Sequence, residues 1–278
     1  MKTIAGSLIL VGTPIGNLSD LSPRAVETLN QCDFIAAEDT RVTLRLLNHF
    51  EIKKPLISYY QHNRAQRGEQ ICQRIEGGET CCLVTDAGMP AISDPGEELV
   101  ALCAQRGIQV LCVPGPTAVA TAVALSGLPS GRFCFEGFLS VAKQSRREHL
   151  EELTAERRTM VFYEAPHKLT ATLRDMLAYF GDRRCAIVRE LTKLHEEVIR
   201  TTLAAAVEKY ESEPPRGEIV LVVEGAAPPP KESMTLEEAA EEARRLTAGG
   251  MSASEASKAA AKLSGCKKSD IYRLLSGS

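Results

Sequence analysis

Over the first 225 positions, short apolar runs alternate with stretches of helical spacing, and each run stops at glycine, proline or clustered charge. Leu8 to Val11, Phe34 to Ala37, Leu56 to Tyr59, Cys81 to Thr85 and Gln109 to Val113 are too short for buried helices, which predicts buried strands. Between them, a pattern opening at Ser22-Pro23 and running through Leu29, and another from about Arg64 to Ile75, predict helices. The β-α-β-α order implies an α/β fold with a mostly parallel sheet, right-handed crossovers and loops gathered at one edge. An alanine-rich helix is expected from Thr117 to Ser126, and Gly127 to Arg132 is the strongest break in the middle of the chain. A second α/β unit follows, with strands expected at Phe133 to Phe138, Thr159 to Tyr163, Arg184 to Arg189, Val198 to Leu203 and Glu218 to Val223. The last three lie close together, so this sheet is expected to be partly antiparallel.

Beyond it, Gly225 to Lys231 contains three consecutive prolines that neither a helix nor a central strand accepts, and it reads as a stiff linker. Leu236 to Leu246, Ser254 to Leu263 and Ser269 to Leu275 then form three short helical patterns, with a Ser264-Gly265 turn that suits a helix-turn-helix layout. The expected organisation is an α/β domain over 1–116, a second over 117–225, a linker over 226–234 and a small helical module over 235–278.

At 278 residues and 44% hydrophobic, the chain can bury full cores, and its length favours two medium domains over one large one. No tract approaches the roughly 18 apolar residues of a membrane helix. Met1 to Gly6 lacks the apolar stretch of a signal peptide, so a cytoplasmic location is expected. Nine cysteines include no Cys-x-x-Cys pair, so they read as small core residues, with no metal expected. The net charge of −3 argues against an overall basic surface but leaves room for local patches.

The candidate chemistry lies where strands meet loops. The stretch Asp86-Ala-Gly-Met-Pro-Ala-Ile-Ser-Asp-Pro-Gly96 leaves a predicted strand and leads to a helix start, with Asp94 as N-cap, Pro95 at the first helical position and Glu97 completing a capping box. Gly12-Thr-Pro-Ile-Gly-Asn17 and Pro114-Gly-Pro-Thr117 stand at two other strand ends. Any one of these is also an ordinary structural turn; three at one sheet edge point to a shared ligand site. No two glycines are spaced Gly-x-Gly and no Gly-x4-Gly-Lys occurs, which excludes the common dinucleotide and phosphate-loop fingerprints.

These three loops, with Glu38-Asp-Thr-Arg41, together resemble the tetrapyrrole methylase superfamily, and in particular its ribosomal-RNA-modifying branch. Glu136 to Leu139, Phe162 to Lys168 and Arg189 to Lys193 extend the resemblance to about 225 residues in order. Met89 departs from it, standing where that branch usually carries threonine and the porphyrin-modifying relatives aspartate; a position offering mainly its backbone would tolerate the change. The resemblance implies two-domain α/β subunits paired as a homodimer, S-adenosyl-L-methionine in the cleft between the domains, and 2′-O-methylation of a cytidine in the decoding region of 16S rRNA, presented as RNA or in the 30S subunit. Carried over by position, Pro14, Asp86, Ala87, Gly88, Pro90, Ser93, Asp94 and Thr117 would line the cofactor site, with Tyr163, Glu164 and Ala165 as candidates from the second domain.

A ribose hydroxyl needs a base to take its proton or cations to steady the developing oxyanion. Glu38, Asp39 and Arg41, then Glu164, His167 and Lys168, then Arg189, Glu190 and Lys193 with His195 and Glu196, are candidates at predicted strand ends, each of which could equally be a solvated charge or ion pair. RNA contact is expected from Arg132, Lys143, Arg146 and Arg147, with Arg157 and Arg158 further on, and from Lys258, Lys262, Lys267, Lys268 and Arg273 in the helical module. Two other readings stay open: C-methylation of a tetrapyrrole precursor, and a non-catalytic nucleic-acid-binding regulator.

Overall fold

The computed structural model describes residues 6–228 and 234–276, and its chain divides into two compact units, Met1–Ala226 and Ala227–Ser278. Of the expected linker, residues 229–233 lie outside the described residues.

The first unit opens with β1 (Ser7–Val11), α1 (Pro23–Gln31), β2 (Phe34–Ala37), α2 (Thr40–His49), β3 (Leu56–Ser58), α3 (Arg64–Glu76), β4 (Cys81–Val84), α4 (Glu97–Gln105) and β5 (Gln109–Val113). The five strands pair in parallel in the order β3-β2-β4-β1-β5. Four-residue strands such as β2 and β4 are buried along their whole length, as strands covered by helices on both faces must be. Helix α1 starts where Ser22 accepts the Ala25 amide and Pro23 takes the first turn, the cap the sequence predicts. Helix α2 is not signalled by a long apolar stripe; Asp39 caps it by accepting the Arg41 amide at 2.8 Å. The chain leaves β1 toward β2 on one side and leaves β4 toward β5 on the other. Strands β1 and β4 are neighbours and each chain leaves past the other strand, so their loops cross at a topological switch point.

Helix α5 (Ala118–Ser126) then crosses to a second sheet, against which Val119, Ala122 and Val123 pack with Val188, Val220 and Val222. That sheet contains β6 (Phe133–Phe138), β7 (Thr159–Glu164), β8 (Arg184–Arg189), β9 (Glu197–Thr202) and β10 (Ile219–Val223), in the order β6-β7-β10-β8-β9. Only β6 and β7 are parallel; the other neighbours are antiparallel, β8 and β9 through a short connection. Its other face is covered by α6 (Lys143–Glu152), α7 (Leu169–Phe180) and α8 (Leu203–Ser212) over a core that includes Phe162, Leu173, Met176 and Leu221. Six of the nine cysteines are buried and all are unpaired, so they serve as small apolar side chains.

The second unit is α9 (Leu236–Ala248), α10 (Ala253–Ser264) and α11 (Lys268–Ser276). Thr235 with Glu238 and Ser252 with Glu255 form complete capping boxes, and Gly265 ends α10 in the left-handed conformation. Its core is small, with Ala239, Ala243, Ala256, Ala260 and Ile271 at the centre. Among the described residues, no helix is long and apolar enough to cross a membrane.

The loops at the switch point touch through their backbones. A Cβ on Gly12 would lie 2.6 Å from the Gly115 amide nitrogen, and one on Gly115 would lie 2.9 Å from the Gly12 carbonyl carbon. Replacing Gly12 with Ala should therefore cost about 1–3 kcal/mol through forced separation of the loops, read as a lower urea midpoint. Gly131→Ala, at a position with open space around it, should change stability by less than about 0.5 kcal/mol. Equal midpoints for the two variants would contradict this contact.

Candidate active site

Three loops of the first sheet form one wall of the site. Thr13 and Gly88 exchange backbone hydrogen bonds at 2.9 and 3.1 Å, and the Thr13 hydroxyl donates to the Thr85 carbonyl at 3.1 Å. Gly88 holds φ +88° there, a conformation that favours glycine. Strand β4 stops at Val84, one residue earlier than its apolar run predicts. The expected cap at Asp94 does not form: α4 begins at Glu97 with Gly96 in the capping position and no side-chain cap. Ala91, Ser93 and Gly96 all hold positive φ, which curls the loop so that the Asp94 carboxyl faces Thr85 and a cavity instead of the helix amides.

That cavity has a volume of about 730 Å³, within the size range of small-molecule sites. The loops of the first sheet, the first turn of α5 and the adjacent edge of the second sheet enclose it. Ala87, Gly88, Ser93, Asp94, Thr117, Tyr163, Glu164 and Ala165 line it, whereas Pro14, Asp86 and Pro90 stand outside its wall. The structure adds Met89, Ile92, Phe135, Phe138, Leu191 and Glu218. Met89 uses its side chain: its sulfur accepts the Gly115 amide at 3.3 Å, and the residue lines the cavity. Phe135 and Phe138 belong to a strand the sequence predicts, but only packing shows which side of it they occupy.

Carboxyl groups gather beside the cavity. The Thr85 hydroxyl lies within reach of Glu38 and Asp94, has one proton to give, and donates it to Glu38 at 3.0 Å. Burial raises the Glu38, Asp86 and Asp94 carboxyls above the usual range, and for Glu38 the neighbouring Asp94 and Asp86 add to the rise. Asp86 accepts the Asp39 amide at 3.1 Å. Asp39 behaves oppositely, because the Arg41 guanidinium bonds both its oxygens and holds it at about 2.

Of the candidate acid–base groups, Glu164 is the one that lines the cavity. It is buried; one oxygen accepts the Ala165 amide at 2.8 Å and the other accepts the Thr172 hydroxyl. Arg146, an expected RNA contact, is turned inward instead: it donates to Thr172 at 3.1 Å and pairs with Asp175 at 2.6 Å. His167 is exposed and Lys168 half-buried in the turn that precedes α7.

The third candidate group is an ion-pair network at the end of the second sheet. Arg189 pairs with Glu197 at 2.8 Å, and Lys193 bonds both Glu190 and Glu218 at 3.0 Å. Glu190 also accepts the Glu218 amide at 2.9 Å, and a Cβ on Gly217 would lie 2.3 Å from its oxygen. His195 is exposed, and Glu196 accepts the Thr192 amide at 2.6 Å. These bonds shape the loop from which Leu191 enters the cavity wall. Arg132, Lys143, Arg147 and Arg157 are exposed, while Arg158 is held by Glu156. Lys258, Lys262, Lys267, Lys268 and Arg273 are all exposed on the helical unit, Lys268 bonding Ser254 at 2.9 Å. Among the described residues, no three His, Cys, Asp or Glu side chains gather as a metal site would require.

Crossed loops at a switch point, facing a mixed second sheet across an apolar cavity, are matched among known families. The sequence model described as Tetrapyrrole (Corrin/Porphyrin) Methylases matches residues 7–207. The chain belongs to the tetrapyrrole methylase family. Its relatives include a protein of Synechocystis sp. named ribosomal RNA small subunit methyltransferase I, 46% identical over 97% of both chains. One of the same name from Thermotoga maritima is 49% identical over 78% of this chain and 97% of that one. Among solved structures, a cobalt precorrin-4 methyltransferase superposes with a TM-score of 0.58 at 18% identity, covering 79% of this chain and 95% of that one. A diphthine synthase superposes with a TM-score of 0.59 at 13% identity, covering 78% and 90%. At those identities the tetrapyrrole methylase fold is what is shared.

The raised carboxyls have a consequence for stability. Each binds its proton more tightly in the folded chain than in the unfolded one, so the folded state holds more protons just above the ordinary carboxylate range and unfolding free energy falls as pH rises through that interval. Asp94→Asn removes one of these groups. Its urea midpoint relative to the unaltered protein should therefore climb between about pH 4 and pH 7, and a constant difference across that range would contradict the assignment.

Proposed function

We propose that this chain is an S-adenosyl-L-methionine-dependent methyltransferase that modifies the 2′-hydroxyl of a cytidine in the decoding region of 16S rRNA. The observation that carries the reading is the 46% identity over 97% of both chains, which extends beyond the α/β body into the helical unit. In this reading 1–116 and 117–225 are the two domains that share the cofactor, and a homodimer acting on RNA or the 30S subunit is the working form.

The residues present suit the cofactor. Val119, Leu191, Ile219 and Val220 give the cavity an apolar wall that would suit an adenosine, while Asp94, with Glu38 and Asp86 nearby, would offer negative charge to the cofactor's cationic groups. The first turn of α5 adds amides of the kind that favour a carboxylate. When bound, S-adenosyl-L-methionine supplies an activated methyl group. The protein's task is then to hold the ribose oxygen in line and remove its proton. Glu164 is suited to accept that proton, since two donors keep its carboxylate oriented at the cavity wall.

The test is transfer of labelled methyl from S-adenosyl-L-methionine to small-subunit rRNA, free or in 30S particles, followed by alkaline hydrolysis. A 2′-O-methyl group removes the nucleophile that cleaves the adjoining phosphodiester, so one cytidine step should become alkali-resistant. Label that enters a tetrapyrrole precursor and neither form of RNA would refute the proposal.

The exposed lysines of the helical unit are assigned to phosphate contact. Replacing Lys258, Lys262 and Lys267 together by alanine should weaken RNA binding and lower the salt slope of log K by roughly 2–3, with cofactor affinity by calorimetry unchanged. An unaltered slope would remove these residues from the interface.

A further inference from the structure

The pairing of β6 with β7 slips between Phe135 and Gly137: Phe135 lies beside Val161, Gly137 beside Phe162 and Phe138 beside Tyr163. In a regular strand, residues three apart point to opposite faces. The extra residue, Glu136, turns Phe138 onto the face that Phe135 already occupies. Both rings therefore pack on Tyr163, with centroids 5.0 and 5.5 Å away. Gly137 permits the bulge at φ +65°, and Glu136 bonds His149 at 3.1 Å.

A ring serving only the core would be covered, yet Phe138 is 61% exposed while lining the cavity. Ile92 shares this mouth and is 52% exposed. It is flanked by Ala91 and Ser93 at φ 67° and 65°, conformations that non-glycine residues rarely hold and that cluster at ligand clamps. The two segments meet, since a Cβ on Gly137 would lie 3.7 Å from the Ser93 hydroxyl. Two backbone irregularities, one in a strand of the second sheet and one in a loop of the first, hold two large apolar side chains out at one opening.

We propose that Phe138 is a substrate-stacking residue, its open face and Ile92 forming a slot for one unstacked nucleobase of single-stranded RNA. The inference rests on the RNA-methylation reading above and adds to it the group that holds the base while its ribose is presented. Val119, Leu191, Ile219 and Val220, each under a tenth exposed, suit a ligand held away from water; the pair at the mouth suits one that arrives from solvent. Aromatic faces bind bases through stacking without need of hydrogen bonds. Exposed Lys143 and Arg147 follow Phe138 within nine residues and can meet the flanking phosphates.

The experiment measures methyl transfer to small-subunit rRNA, RNA binding across a salt series and cofactor binding by calorimetry, for the full-length protein and for Phe138→Ala and Phe138→Tyr. Phe138→Ala should raise the KM for RNA about tenfold or more, leave the cofactor Kd and the salt slope unchanged, and be restored by Phe138→Tyr. Unchanged KM in Phe138→Ala would overturn the slot. So would a matching loss of cofactor affinity, which would give the ring to the adenine, or a change in oligomeric mass by light scattering with RNA affinity intact, which would give it to a contact between copies. Absence of transfer to RNA by the unaltered protein would instead overturn the proposed function, and the slot with it.

Discussion

The site depends on how closely two backbones approach. Gly12, at the end of β1, and Gly115, at the end of β5, meet where neither could carry a side chain without displacing the other. Beside them the Thr13–Gly88 bridge ties the β1 loop to the β4 loop. Parallel strands bring their carboxyl ends to one edge, but they do not bring the loops into contact; that takes small residues where the loops cross. Once crossed, the loops are rigid enough to hold Asp94 beside the cavity and to send α5 across to the second sheet.

The second sheet makes a complementary contribution. It presents the ends of β7 and β10 and the loop after β8 to the same cavity, and ion pairs hold that loop. Lys193 neutralises Glu190 and Glu218, and Gly217 leaves space for the Glu190 carboxylate. Arg146 likewise spends its donors on Thr172 and Asp175, one step behind Glu164. Charged residues near a site thus divide by what they touch. Some reach the cavity, some hold those that do, and the rest face solvent.

The charge distribution follows the same division. Carboxyls raised by burial collect at and beside an apolar cavity, while exposed lysines lie on the helical unit and at the start of α6. A chain with net charge −3 can therefore hold a cationic cofactor and a polyanionic substrate without one field dominating its whole surface.

Most strands and several caps were legible in the sequence because they depend on local pattern: β2, β5, β6 and β8 have the predicted bounds, and Ser22-Pro23 starts α1 as its chemistry requires. The three glycine- and proline-bearing loops, and the tetrapyrrole methylase resemblance they carry, were also legible, since special backbone conformations demand special residues. The cap expected at Asp94 does not form, because its local signal competes with a loop curled by Ala91, Ser93 and Gly96, whose conformations only the packed structure imposes. The inward turn of Arg146 and the bulge that turns Phe138 toward the cavity were equally out of reach. Each depends on a partner far along the chain or on register, and a one-residue slip reverses the face on which a side chain stands. Sequence alone determined most of the strands, their order and the loops that matter; tertiary structure decided which side chains in those loops share one cavity, because that depends on pairing and packing between residues tens of positions apart.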